Sequence, residues 1–180
     1  PSTSSDQRIP NLVFGKDGNS YQIISIPLNL KNKTVQDVFK DLGESKKSRW
    51  RLFEYDKTTN ELSGSDSIEL GKGYWLIVKE ESLINPGEGN TVKVNNQTPF
   101  VLELNPGWNL IGNPYLFDLD WSDVLDANPA MGLIGNLRVF NSGGLHLNNE
   151  SNTLKAWSGG FVHNGNAQTV ELQLPVVLKN

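Results

Sequence analysis

Apolar residues recur along this chain in short bursts, which Gly, Pro, Asn and Ser close off before a long helix can form. One burst, Tyr21-Gln22-Ile23-Ile24-Ser25-Ile26-Pro27-Leu28, reads as a strand that stops at a proline. A second, Trp108-Asn109-Leu110-Ile111-Gly112-Asn113-Pro114-Tyr115, follows the same plan 87 residues later. Aromatic aligns with aromatic, amide with amide, Ile24 with Ile111 and Pro27 with Pro114.

The landmarks downstream repeat in the same order. Thr34-Val35-Gln36-Asp37-Val38-Phe39 and Asp120-Trp121-Ser122-Asp123-Val124-Leu125 each begin with an N-cap residue type and predict a helix of two or three turns. Val35, Val38, Phe39 and Leu42 fall on one face of the first. Strands follow at Trp50-Arg51-Leu52-Phe53-Glu54-Tyr55 and Leu137-Arg138-Val139-Phe140-Asn141. Each runs into turn formers, Asp56 to Asn60 or Asn141-Ser142-Gly143-Gly144, that predict a hairpin. A glycine-marked strand comes next, Gly73-Tyr74-Trp75-Leu76 against Gly159-Gly160-Phe161-Val162. Thr91-Val92-Lys93-Val94 then resembles Thr169-Val170-Glu171-Leu172. The offset drifts only at loops, as in a tandem duplication whose elements are fixed and whose connections are not.

The expected fold is therefore mainly β and antiparallel, a sandwich or partly closed barrel made of two pseudo-symmetric repeats with one short helix each. Residues 1–9 read as a disordered linker, 10–95 as the first repeat and 96–180 as the second, the two packed as one unit. Gln97 to Leu104 reads as a further strand, pairing across the halves. The opening Pro1-Ser2-Thr3-Ser4-Ser5 suits a module taken from a longer or processed chain.

Composition narrows the chemistry. Hydrophobic residues make up 37% and charged residues 20%, with 17 glycines and 9 prolines, which suits short strands joined by many turns. A net charge of −4 and the lack of a basic stripe argue against nucleic acid; Lys46-Lys47-Ser48-Arg49 reads as a solvated loop. The absence of cysteine removes disulfides and zinc-thiolate sites. No apolar run is long enough to predict membrane insertion by a helix.

Candidate site residues come from the aromatics first. Recurrence in both copies places Tyr21, Trp75, Trp108 and Phe161 in the core. Tyr115, Trp121 and Trp157 have no aromatic counterpart in the other copy, so they are the candidates for an exposed ligand-stacking surface. Arg51 and Arg138 recur inside apolar strands and read as arginines stacked on a neighbouring indole and satisfying loop carbonyls. Asp118, Asp120 and Asp123 could supply oxygen ligands to calcium, although Asp120 and Asp123 also serve as helix-start residues. No other cofactor is implied. For catalysis, His146 and His163 lack a nucleophile elbow, and Glu54, Glu69, Asp118 and Asp123 show no spacing that selects a glycosidase pair. No catalytic residue is assigned, and a non-enzymatic role is expected.

The strings Pro106-Gly107-Trp108-Asn109-Leu110-Ile111-Gly112-Asn113-Pro114 and Leu70-Gly71-Lys72-Gly73-Tyr74-Trp75-Leu76 resemble modules of large bacterial secreted and cell-surface proteins, in which a "PGWNLIGNP" strand precedes a "GKGYW" strand. The resemblance recurs once per half, with Ser20-Tyr21 replacing Gly-Trp in the first copy and Gly159-Gly160-Phe161 replacing Gly-Tyr-Trp in the second. It implies an extracellular or cell-surface accessory module that spaces, docks or adheres, with neighbouring domains of the same chain as its first partners. A module that binds polysaccharide is the alternative, with a surface protein as another partner. A glycoside hydrolase comes third.

Overall fold

The computed structural model describes residues 7–44, 48–94, 98–129, 132–140 and 149–177. Residues 1–6 of the expected linker, Lys46, Lys47, Gln97, the turn Asn141 to Gly144 and His146 lie outside them.

The first half contributes β1 (Gln22–Ile24), β2 (Asn29–Leu30), helix α1 (Val35–Val38), β3 (Trp50–Asp56), β4 (Thr58–Glu61), β5 (Tyr74–Val78) and β6 (Gly89–Asn90). The second contributes β7 (Phe100–Leu104), β8 (Gly107–Gly112), β9 (Leu119–Asp120), helix α2 (Trp121–Ala127), β10 (Arg138–Val139), β11 (Asn149–Glu150), β12 (Thr153–Leu154), β13 (Gly159–Asn164) and β14 (Val170–Leu174). The protein is mainly β, antiparallel in every pair of strands, with two short helices.

The two principal sheets share one plan. Their strand orders are β1-β5-β3-β4 and β8-β13-β10-β11. The Thr34–Ser67 bridge beside α1 has its equivalent in the Asp120–Thr153 pair beside α2. Among the described residues no pairing closes either sheet into a barrel. Both helices start as their caps dictate: Thr34 Oγ1 accepts from Asp37 N at 3.2 Å, and Asp120 Oδ1 accepts from Ser122 N at 3.0 Å.

Strand alternation gives each sheet one face for its own core. Leu52, Leu76, Val35, Val38 and Phe39 meet in the first core, and Val162, Trp121, Val124, Leu137 and Leu154 in the second. Ile9, within the expected linker, belongs to the first core, and its amide donates to Ile84 O at 2.9 Å. The cores exchange a side chain each: Trp157 packs against the first and Val92 against the second.

Two expected strands behave differently. The run ending at Leu104 pairs as β7 with β14, inside its own half. Thr91 to Val94 is not a strand. Its counterpart in the second half has β7 to pair with. Among the described residues the first half has no equivalent of β7: Phe14 makes a parallel bridge to Val78 of β5, and no strand pairs with Thr91 to Val94.

The halves meet through equivalent backbone contacts. Ile24 bridges Ser158 and Ile111 bridges Lys72. Ser25 N donates to Trp157 O at 3.0 Å, and Gly112 N donates to Gly71 O at 2.8 Å. Under the 86–87-residue offset each contact maps onto the other, which is the isologous pattern of a two-fold interface inside one chain. A Cβ on Gly112 would lie 2.3 Å from Lys72 O and 2.5 Å from Ser25 Cβ. One on Gly159 would lie 2.4 Å from Ile111 O and 3.2 Å from Gly73 Cα. Ser25 and Gly112 are repeat equivalents, and the axis has room for one side chain, not two. Ser25 Oγ uses that room, lying 2.9 Å from Ser158 O and 3.1 Å from Asn113 O.

Gly112→Ala is expected to lower unfolding free energy by about 3 kcal/mol, because the new methyl meets backbone at Lys72 and the Ser25 side chain. Gly18→Ala, with nothing within 4 Å of the new carbon, should change it far less. Urea midpoints of the two variants check this, and equal midpoints would refute the dyad constraint.

Candidate functional site

Outside its own core, each sheet turns an aromatic face toward the junction. Alternation on β3 puts Trp50 and Leu52 in the core and leaves Arg51, Phe53 and Tyr55 on the opposite face. On β5, Tyr74, Leu76 and Val78 are buried while Trp75 and Ile77 share the face of Phe53 and Arg51, their register partners. In the second sheet Phe161 lies in register with Leu110 on one side and Arg138 on the other, and His163 with Trp108.

These faces make one apolar layer of Ile23, Leu110 and Phe161, flanked by Tyr55, Trp75 and Phe140. Rings run through it in edge and tilted contacts: Tyr21 to Trp75 at 6.4 Å, Trp75 to Phe161 at 6.2 Å and Phe161 to Trp108 at 6.5 Å. Phe140 stands 4.9 Å from Trp75, and Tyr55 stands 5.2 Å from Phe161. Equivalent arginines sit at the two ends. The Arg51 guanidinium lies 4.7 Å from the Phe53 ring and grips Glu61 through two 2.8 Å bonds. The Arg138 guanidinium lies 5.9 Å from the Trp108 ring and 3.4 Å from Glu150. The recurrence of arginine is thus explained by stacking and carboxylate pairing, with an indole only in the second copy.

The layer is open at its rim. Trp108, expected in the core, is 42% exposed, with His163 packed edge-on at 5.0 Å. Tyr21 and Trp75 are half-buried and only Phe161 is fully covered. Tyr115 and Trp121, expected at the surface, are 3% and 2% exposed and offer no ring face to a ligand. The Tyr115 hydroxyl donates to Leu174 O at 2.9 Å and accepts from Phe100 N at 3.1 Å, clamping the β7–β14 pair that only the second half possesses. Trp121 stands where α1 has the buried Val35, so the period of the helix, not its lack of an aromatic counterpart, carried the signal. Trp157 is half-buried.

Two clefts flank the junction, and the same duplicated segments build both. A cleft of about 620 Å³ lies beside Trp108 to Ile111 and Glu69 to Gly73. Its counterpart, about 600 Å³, lies beside Tyr21 to Ile24 and Lys155 to Ser158. Glu54, Asp56, Glu69 and Glu103 put four acidic groups in the first, against two basic ones, Lys57 and Lys72. Among the described residues the second carries Tyr21, Phe140 and Trp157 with amides and hydroxyls, and only Glu150 and Lys155 as charged groups.

The candidate carboxylates divide. Glu54 and Glu69 reach the first cleft together, where Glu69 also bridges Lys72 at 2.9 Å. Asp118 is elsewhere and accepts from Ala156 N at 2.8 Å, and Asp120 caps α2. Asp123 lies in the first turn of that helix. The three aspartates therefore have structural places. Among the described residues no group of three or more His, Asp or Glu side chains stands ready to hold a metal ion. Asn113, which closes the strand before them, is buried: its amide donates to Phe117 O and Leu154 O, and its oxygen accepts from Tyr115 N. No model of a known protein family matches the chain, and no curated protein or solved structure does either.

Burial raises the Tyr74 and Tyr115 hydroxyls above the ordinary phenol value. In the unfolded chain these groups lose their protons near pH 10, before the folded protein does. Stability is therefore intact below that pH and falls as pH rises past it, by up to about 1.4 kcal/mol per pH unit for each phenol. Denaturation at pH 8, 10 and 11 should show this fall, and Tyr74→Phe should make it shallower. An unchanged slope in the variant would contradict the assignment.

Proposed function

We propose that this chain is a non-catalytic accessory module of a bacterial secreted or cell-surface protein, and that it docks to an extracellular surface through the open rim of its aromatic layer. The observation that supports this is Trp108, a large indole left 42% exposed beside Arg138 and His163, although its counterpart strand in the first half is better covered. Aromatic and arginine side chains are the residues that most often dominate docking surfaces. Several acidic groups suggested for chemistry or metal have other work: Glu69 bridges Lys72, Asp118 holds a loop amide and Asp120 caps a helix. The likeness of the two strand motifs to modules of large exoproteins supports the extracellular setting, with neighbouring domains of the same chain beside it. On this reading the halves, residues 10–95 and 96–180, work as one unit, because the docking layer draws on both.

Fluorescently labelled protein incubated with intact bacterial cells and with purified peptidoglycan sacculi tests the reading. Binding is expected, with Trp108→Ala weakening it by about tenfold or more at unchanged thermal stability, since truncating one docking aromatic typically costs more than 1 kcal/mol. Leu133→Ala, an exposed apolar control, should bind like the parent. Retention that ignores Trp108, absence of binding to either surface, or release of soluble fragments from the sacculi would overturn it.

A further inference from the structure

The paired clefts differ where the fold does not require them to. Both lie between the halves and both are framed by equivalent segments, so their shape follows from the duplication. Their linings have separated, one charged and the other nearly neutral. The neutral cleft carries an additional mark. Trp157 has φ of 61°, a left-handed conformation that a bulky side chain rarely adopts. Its repeat equivalent is Gly71, at φ 82°. The conformation belongs to the junction, because in both copies the carbonyl of this residue accepts the inter-half hydrogen bond, from Ser25 N or from Gly112 N. Glycine meets that demand without strain, and the first copy uses glycine. The second copy keeps a tryptophan there in spite of the strain, and strained residues that persist tend to mark functional positions.

We propose that this cleft binds a neutral oligosaccharide, with the Trp157 indole as its stacking surface; this deepens the docking role proposed above and rests on it. Trp157 packs against the first core, lines the cleft and is half-buried, so the residue is anchored at the cleft wall. Tyr21 and Phe140 add apolar surface, and Asn11, Ser151 and Thr153 add groups that can exchange hydrogen bonds with sugar hydroxyls. Glu150, one of the two charged groups, is engaged by Arg138 at 3.4 Å and by Asn136 at 3.1 Å. A polyhydroxylated, uncharged ligand with apolar ring faces suits that lining better than a phosphate, a uronic acid or a basic peptide. A volume of about 600 Å³ accommodates a chain of a few sugar units.

An array of neutral and acidic glycans, followed by calorimetric titration of the best neutral hit, tests the site. Neutral glycans should bind, and Trp157→Gly should weaken the hit about tenfold or more while the protein still melts cooperatively, because glycine relieves the strained backbone but gives up the indole's contacts with the first core. Undiminished affinity in Trp157→Gly, or selection of acidic glycans only, would overturn the proposal. Should Trp157→Gly fail to fold, the indole N–H resonances decide. Trp157→Phe assigns the signal of Trp157: a shift of it on adding the glycan supports the site, and shifts confined to other tryptophans overturn it. A silent array with Trp108-dependent cell binding intact refutes the oligosaccharide site and leaves the docking role standing. Loss of both removes the reading on which the site rests.

Discussion

Everything in this molecule is arranged around a place where two backbones come too close for a side chain. At the junction of the halves, Gly112 and Gly159 lie against Lys72 O and Ile111 O at distances no Cβ could share. Ser25 occupies the single methylene-sized space left on the axis and turns its hydroxyl to the carbonyls beyond. Such an approach lets the two sheets exchange main-chain hydrogen bonds, Ser25 N to Trp157 O and Gly112 N to Gly71 O, without any strand of one sheet joining the other. Each half has its own core, but a unit of this size buries a smaller share of its surface than a larger domain does. The junction adds a third apolar layer and swaps Trp157 and Val92 between the cores, so each half completes the other.

The axis also explains which parts of the duplication stayed alike. Where both copies meet the same steric demand the residues are alike, Gly73 with Gly159 and Ile24 with Ile111, whereas Ser25 is paired with Gly112 because the axis has room for one side chain. Away from it, only one copy's surroundings matter. Tyr115 serves a strand pair that the first half lacks, and Trp121 fills a larger space beneath α2 than Val35 does beneath α1. The buried asparagines follow the same logic. Asn113, Asn128 and Asn164 each satisfy more than one backbone group of the second half, in loops and at its strands and helix. They do with side-chain amides what longer strands would do with a ladder.

Much of the fold was legible because it rests on local signals: strand alternation, caps, turn residues and internal repetition predicted two strand–helix–strand–hairpin units. Pairing partners were less legible. Thr91 to Val94 has the alternation of a strand, yet a strand needs a neighbour, and periodicity says nothing about whether one is present. The candidate site was read least well, for a specific reason. Recurrence between the copies signals a shared environment and not burial: Trp108 recurs and is 42% exposed, while Tyr115 and Trp121 do not recur and are buried. Residues recurring next to a pseudo-two-fold axis form a shared layer with rims, and a rim is half in water. Trp157 was singled out for lacking an aromatic counterpart. Its more telling feature is a left-handed backbone that the equivalent position in the first half, Gly71, meets with glycine.

The clefts and the junction are consequently one object. Each cleft has walls from both halves: Tyr21 faces Phe140 and Trp157 in one, Glu54 and Glu69 face Phe100 and Trp108 in the other. An occupant of either would touch both halves, and its binding free energy would add to the contacts that hold them together. The strain at Trp157 fits that coupling, since the inter-half hydrogen bond from Ser25 N to its carbonyl fixes the backbone that carries the indole. Loosening the junction would release the backbone, and with it the ring, from the place where the cleft needs it. Duplication in this chain therefore does more than double a small fold. It creates, at the seam, surface that neither half has alone, and it leaves two versions of that surface free to take up different chemistry.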